Sequence, residues 1–303
     1  MRAPGVAALM LSICLFSACA LPWAQVQPSP VSSPSPISSL GPSPSSDPSP
    51  ITASQSHVFV IVMENHSYGR ALSGSYTSAL AKKYSVATDY HSVSSPSLPN
   101  YLALTSGSTW GITDDGYHRL PAGGLGVELT SAGILWRAYM EGMTNGCLSN
   151  TYPYALKHNP FAYYGGSCPS QVVNFSHFAA DMQTLVPNFV WITPGLCHDG
   201  HDCSTAAADQ WLAQTVPEIL ATDAWKNNGL LLITWDEGDG SSNHVLALAI
   251  QPNPLEQASA HPYNHYSLLA TVEDRLGLAR LGRAADATAM TDLVGNPPYP
   301  KGP

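Results

Sequence analysis

Three apolar runs of strand length, each ending in a cluster of polar residues, constrain this chain more than any other feature. His57-Val58-Phe59-Val60-Ile61-Val62-Met63 stops at Glu64-Asn65. Asn188 to Pro194 leads into His198-Asp199-Gly200-His201-Asp202, and Leu230 to Trp235 stops at Asp236-Glu237-Gly238. Near-continuous apolar and β-branched runs fit central strands of a parallel sheet covered on both faces. Helical patterns lie between and after them. One runs from Ser204 to Ala221, with Trp211, Leu212, Thr215, Val216, Ile219 and Leu220 on one stripe. Pro217 inside it predicts a kink or a break. Another covers Tyr266 to Leu276. The alternation predicts an α/β fold, doubly wound, with a mostly parallel central sheet and helices on both faces. Ligands of such sheets bind beyond the carboxyl ends of the strands, where all three polar clusters fall.

The first part of the chain reads differently. Met1-Arg2 precedes an apolar run from Val6 to Phe16, with small residues at Ser17, Ala18 and Ala20. That is the layout of a secretory signal peptide over residues 1–19, and the run is too short for a membrane span. Cys19 stands where a bacterial lipoprotein is cleaved and acylated; otherwise it leaves with the signal. Residues 20–55 are mostly Pro, Ser and small residues, with Asp47 their only charge. They read as a disordered tether whose upper reach is roughly 100 Å at about 3.1 Å per residue. Residues 56–303 remain for a single catalytic domain. A formal net charge of -9 and the lack of a basic run argue against nucleic acid. A membrane contact is expected only through the lipid at Cys19. Four cysteines lie beyond the leader, which in an exported chain reads as two disulfides in any of three connectivities.

Glu64, Asn65, Asp236 and Glu237 are hard oxygen donors at two separate strand ends. They suit one divalent ion, with Ca, Mg or Mn favoured by oxygen and Zn or Fe kept open by nearby histidines. Carboxylates crowded without a cation would repel, so some would stay protonated. Ser97 sits in Ser94-Ser95-Pro96-Ser97-Leu98-Pro99-Asn100-Tyr101. Pro99 suits a first helical turn, which places Ser97 at a helix N-terminus. Two readings stand there: an ordinary helix cap, or a nucleophile helped by exposed amides and the helix dipole.

The run Ser-Leu-Pro-Asn-Tyr-Leu-Ala-Leu-Thr, with Glu-Asn-His-Ser-Tyr before it and Thr-Trp-Asp-Glu-Gly after, resembles the bacterial phosphoesterase family of acid phosphatases and phospholipases C. That family is related to the alkaline phosphatase superfamily. Lys157-His158-Asn159-Pro160-Phe161, His198-Asp199-Gly200-His201-Asp202-Cys203 and Tyr263-Asn264-His265-Tyr266-Ser267 extend the likeness from Val58 to Leu278. The resemblance implies an alkaline-phosphatase-like fold and hydrolysis of small or lipid-linked phosphate monoesters, phosphoinositides among them. It implies Ser97 as the residue that becomes phosphorylated, with Glu64, Asn65, Asp236 and Glu237 as metal ligands. Asn100 and His158 become substrate contacts, with Asp199 and Asp202 orienting or ligating beside them. His201 and His265 become catalytic proton donors. Ser95 departs from the pattern, because relatives often carry His there. His198 takes no firm role, and His244 stands between a site residue and a structural one.

Cys197 and Cys203 bracket His198 to Asp202, and Cys147 and Cys168 bracket His158, so the pairs expected are Cys197–Cys203 and Cys147–Cys168. The remaining histidines (His57, His91, His118 and His177) read as structural or surface residues. Three other functions compete. A phosphodiesterase or phospholipase C shares the site. A metal-free serine esterase lacks its Gly-x-Ser-x-Gly elbow here. A non-catalytic surface lipoprotein would need gaps in the metal motif, and every position of that motif is filled.

Overall fold

A computed structural model describes residues 56–240, 243–255 and 258–296. The signal peptide, the tether and Cys19 lie outside them. The elements begin with β1 (Val58–Met63), α1 (Tyr68–Ala71), α2 (Ser75–Lys83), β2 (Ser85–Ala87), β3 (Tyr90–His91) and α3 (Ser97–Ser106). The middle of the chain supplies α4 (Leu125–Ser131), β4 (Trp136–Met140), β5 (Val172–Asn174), α5 (Phe178–Thr184) and β6 (Phe189–Thr193). Then follow α6 (Thr205–Ala221), α7 (Asp223–Lys226), β7 (Leu230–Trp235), β8 (Ala247–Ile250), β9 (Ala258–Ser259), β10 (Tyr263–Asn264), α8 (His265–Leu276) and α9 (Thr291–Val294).

The three motif strands lie side by side in the middle of an eight-stranded sheet of order β5-β4-β6-β1-β7-β8-β2-β9. Every neighbouring pair is parallel except the two that involve β8. β1, β6 and β7 are buried along their whole lengths, which is why their sequences show no alternation. Register does the rest. Met63 pairs with Trp235 and Ile61 with Ile192, so the three polar clusters leave the sheet at one level. This is the mostly parallel α/β sheet expected from the sequence.

Of the kink or break expected in helix α6, the break is absent. Pro217 lies inside it, yet the helix runs unbroken to Ala221. Pro217 is on the exposed face, where water can reach the carbonyl it leaves unpaired, while Trp211, Leu212, Thr215, Val216 and Ile219 form the buried stripe. The Ser204 hydroxyl caps α6 by accepting the Ala207 amide. Helix α3 packs against α8 and ends at Gly107, whose φ of 67° is left-handed. A Cβ there would lie 2.1 Å from the Leu281 carbonyl, so only glycine fits. Both expected disulfides, Cys147–Cys168 and Cys197–Cys203, are formed. Among the described residues no helix is long and apolar enough to cross a membrane.

Candidate active site

The end of β1 supplies the first part of the site. Glu64 is fully buried, and Asn65 turns the chain with φ 48°, a left-handed conformation that asparagine tolerates. That turn lets the Asn65 amide donate to Oδ1 of Asp236 (3.2 Å) while its side-chain nitrogen donates to Oε2 of Glu64 (3.2 Å). Two strand ends are thereby tied together by one residue.

Ser97 is the first residue of α3 and is buried. Its hydroxyl has two acceptors within reach, Oε2 of Glu64 (3.2 Å) and Oε1 of Glu237 (3.4 Å), and one proton to give. The Lys157 ammonium donates to Ser97 Oγ at 3.4 Å. An oxygen that donates to a carboxylate and accepts from a cation is polarised as an incipient alkoxide. Lys157 also donates to Oδ2 of Asp115 (3.0 Å) and stands 3.4 Å from Nε2 of His201. Burial favours its neutral amine, but Glu64 and Asp115 outweigh this and hold it above the ordinary lysine range.

His158 lies deeper. Its Nε2 stands 3.0 Å from Oε1 of Glu64 and its Nδ1 3.3 Å from Oδ2 of Asp199, with the ring stacked on Tyr101. Burial alone would lower its pKa; Glu64 and Asp199 more than reverse that, so the ring is held as a cation. The same charge keeps Glu64 ionised against its own burial. Asp199 also accepts the His201 amide at 2.7 Å. His201 faces outward, its Nδ1 fixed 2.7 Å from Oδ1 of Asp202. Its other face lines a polar cavity of about 380 Å³ that Asn65, Ser95, Glu237 and Arg70 also line. Gly200 makes that loop path possible, since a Cβ would lie 2.9 Å from the His66 ring.

Two sequence-expected residues are engaged elsewhere. Asn100 accepts the amides of Val93 and Ser94 and donates to the carbonyls of Ser94 and Pro96, so it shapes the loop before Ser97. His265 is fully buried, with Nδ1 2.9 Å from the Tyr90 hydroxyl and Nε2 2.6 Å from the Asp236 carbonyl. Burial lowers it to about 4, so it is a neutral ring that positions the Asp236 backbone. His244 stacks between Tyr68 and His91 and meets the Thr88 carbonyl, a structural arrangement. His198 bonds to Glu141. Sequence reasoning gave no role to Lys157 or Asp115, although Lys157 adjoins His158 in a quoted motif.

Among the described residues no three His, Cys, Asp or Glu side chains form a ready-made metal cage. The donor chemistry nonetheless fits a cation. Oδ2 of Asp236 is buried without a hydrogen-bond donor, and Oε1 of Glu64 has only the poorly angled His158 ring beside it. Burial, followed by repulsion from Glu64, pushes Asp236 well above the carboxylate range, and burial raises Glu237 as well. Crowded acids that cannot all ionise are what an oxygen-binding divalent ion would relieve.

The architecture is similar to a solved protein of the alkaline phosphatase superfamily from Vibrio parahaemolyticus, at a TM-score of 0.55 with 11% identity, over 79% of this chain and 72% of that one. The chain is 32% identical to the phosphatidylinositol-3-phosphatase of Mycobacterium tuberculosis, over 80% of this chain and 83% of that protein. It is 29% identical to a probable acid phosphatase of Kluyveromyces lactis, again over 80% of this chain, and spans 63% of that protein's length. These relatives make the chain a phosphoric ester hydrolase. The chain belongs to the Phosphoesterase family, whose pattern matches residues 73–259.

Proposed function

We propose that this hydrolase acts on phosphate monoesters through a phosphoserine at Ser97, with one divalent ion at Glu64, Asn65, Asp236 and Glu237. The observation that carries this is the Ser97 hydroxyl, held at a helix N-terminus between two carboxylates and an ammonium. A divalent ion bound there supplies Lewis-acid charge to the phosphoryl oxygens. In the first step the Ser97 Oγ–P bond forms as the ester P–O bond breaks. The serine proton passes to the carboxylate of Glu237 that it already faces, and His201, which Asp202 orients, gives a proton to the leaving alcohol. In the second step water attacks phosphorus, the Oγ–P bond breaks, and Ser97 regains a proton as inorganic phosphate departs. His158 and Asp199 hold Glu64 and the His201 loop in place beneath.

The mycobacterial relative's name brings phosphoinositide monoesters among the candidate substrates. Two disulfides fit an oxidising compartment. With the signal-like residues 1–19, the tether at 20–55 and the catalytic domain at 56–303, they support export, with Cys19 as an anchor point. Ser97→Ala should lower kcat by at least about 10³-fold. Acid-quenched wild type should carry phosphate on the peptide containing Ser97 by mass spectrometry. Near-normal turnover of the alanine variant, or phosphate mapped elsewhere, refutes the reading.

A further inference from the structure

We propose that Lys157 is a further catalytic residue of this site and that Asp115 positions it, the two forming a clamp for the phosphoryl dianion. The proposal rests on Ser97 as the nucleophile. Ser97 is faced by the carboxylates of Glu64 and Glu237, two of the proposed metal ligands, so much of the ion's charge is offset before an incoming dianion arrives. Lys157 sets an ammonium 3.4 Å from Ser97 Oγ. A lysine is a compact charge with three donors, and this one directs them to Ser97, Asp115 and the His201 side. A phosphate seated over Ser97 meets it directly.

Asp115 makes the placement specific. Its Oδ1 accepts the Leu98 amide (3.0 Å) and its Oδ2 accepts the Lys157 ammonium (3.0 Å). The Leu98 amide belongs to the first turn of α3, whose donors have no partner within the helix. One carboxylate therefore holds both the residue beside the nucleophile and the cation, and it fixes their separation. Lys157 is gripped from its other side as well, because the adjoining His158 is docked on Glu64. A loop-fastening ion pair would account for Asp115 and Lys157 alone. It would not account for a carboxylate shared with the amide after Ser97, nor for an ammonium turned inward to 20% side-chain exposure. Lys157 keeps its proton throughout; it neutralises the phosphoryl oxygens as the Oγ–P bond forms and the ester P–O bond breaks.

The test compares wild type with Lys157→Met, Lys157→Arg, Asp115→Asn and the Asp115→Asn/Lys157→Met double variant, with Ser97→Ala alongside. Readouts are kcat/KM for para-nitrophenyl phosphate and its bis-ester, and the Kd of inorganic phosphate by calorimetry. Lys157→Met should lose about 10²-fold or more on the monoester and less than about tenfold on the singly charged diester, while phosphate binding weakens at least about tenfold. Lys157→Arg should recover part of the monoester loss. Asp115→Asn should lose about tenfold, and the double variant no more than Lys157→Met alone, because the two act as one unit. Equal losses on monoester and diester, or phosphate affinity within about threefold of wild type in Lys157→Met, overturn the proposal. If Lys157→Met does not fold, Lys157→Arg and Asp115→Asn decide through the same phosphate Kd. An active Ser97→Ala condemns the nucleophile reading. An inactive Ser97→Ala beside a fully active Lys157→Met condemns only the clamp.

Discussion

Nε2 of His158 stands 3.0 Å from Oε1 of Glu64, and neither atom has a well-angled hydrogen bond. The contact is electrostatic, between two side chains almost wholly out of water, and Asp199 closes the other side of the ring. A charge so placed supports the strand ends from beneath. The site is thus built in two levels, a buried His158 layer and a wetter layer of Ser97, Lys157 and His201.

Removing the lower layer should cost stability. His158→Ala leaves two carboxylates buried without their cation, and loss of one partner of a buried pair costs about 3–5 kcal/mol. Urea unfolding of the variant should show a loss of unfolding free energy of that order. A shift of less than about 1 kcal/mol would place His158 among solvated pairs, against its burial.

A divalent ion should be required. Chelation is expected to abolish turnover, and one divalent ion to restore it with about one equivalent bound. Asp236→Asn or Glu64→Gln should weaken metal binding, measured by calorimetry, with the far-ultraviolet dichroism unchanged. Full activity in metal-stripped protein contradicts the assignment.

The two disulfides should support both stability and activity. Cys147–Cys168 spans 21 positions and Cys197–Cys203 spans 6. Loop entropy predicts losses of about 3 and about 2 kcal/mol when each is replaced by paired serines. Activity should fall in both variants, because the smaller loop carries Asp199, His201 and Asp202 and the larger one carries Lys157 and His158. Melting and kcat on the two variants check both halves, and a Cys197→Ser/Cys203→Ser variant with normal kcat would remove the loop from the site.

The sheet was legible because buried parallel strands leave an unbroken apolar signature, and β1, β6 and β7 each end where their signatures end. The polar clusters were legible for the same reason, since a carboxylate after such a run leaves at the ligand edge. What the residues alone did not reveal was which way side chains turn. Asn100 and His265 belong to quoted motifs, yet the structure spends them on a loop and on the Asp236 backbone. Lys157 and Asp115 lie 42 positions apart in a region of short turns, where no periodicity forecasts a meeting. Pro217 does not break α6 because it falls on the exposed face, which propensity alone cannot foretell.

Glu273 is fully buried in α8 and should tie stability to pH. Its Oε1 accepts the Leu281 amide at 2.9 Å, and its Oε2 has no hydrogen-bond partner. Burial raises it from 4.5 to about 8, against the pull of the Leu281 amide and Arg280. The folded protein therefore holds a proton here that the unfolded chain releases near its ordinary value. Below about pH 4.5 both states are protonated and the group contributes its full share. Between about 4.5 and 8 the unfolded state binds fewer protons, so stability falls as pH rises, by up to about 1.4 kcal/mol per unit. Above about 8 both states are ionised and the slope vanishes. Glu273→Gln keeps the shape and the acceptor for Leu281 without the titration. The difference in unfolding free energy between this variant and wild type should thus grow in the variant's favour from pH 5 to pH 8. Denaturant unfolding at a series of pH values reads it directly, and a difference that stays constant across that window shows that Glu273 does not hold the proton.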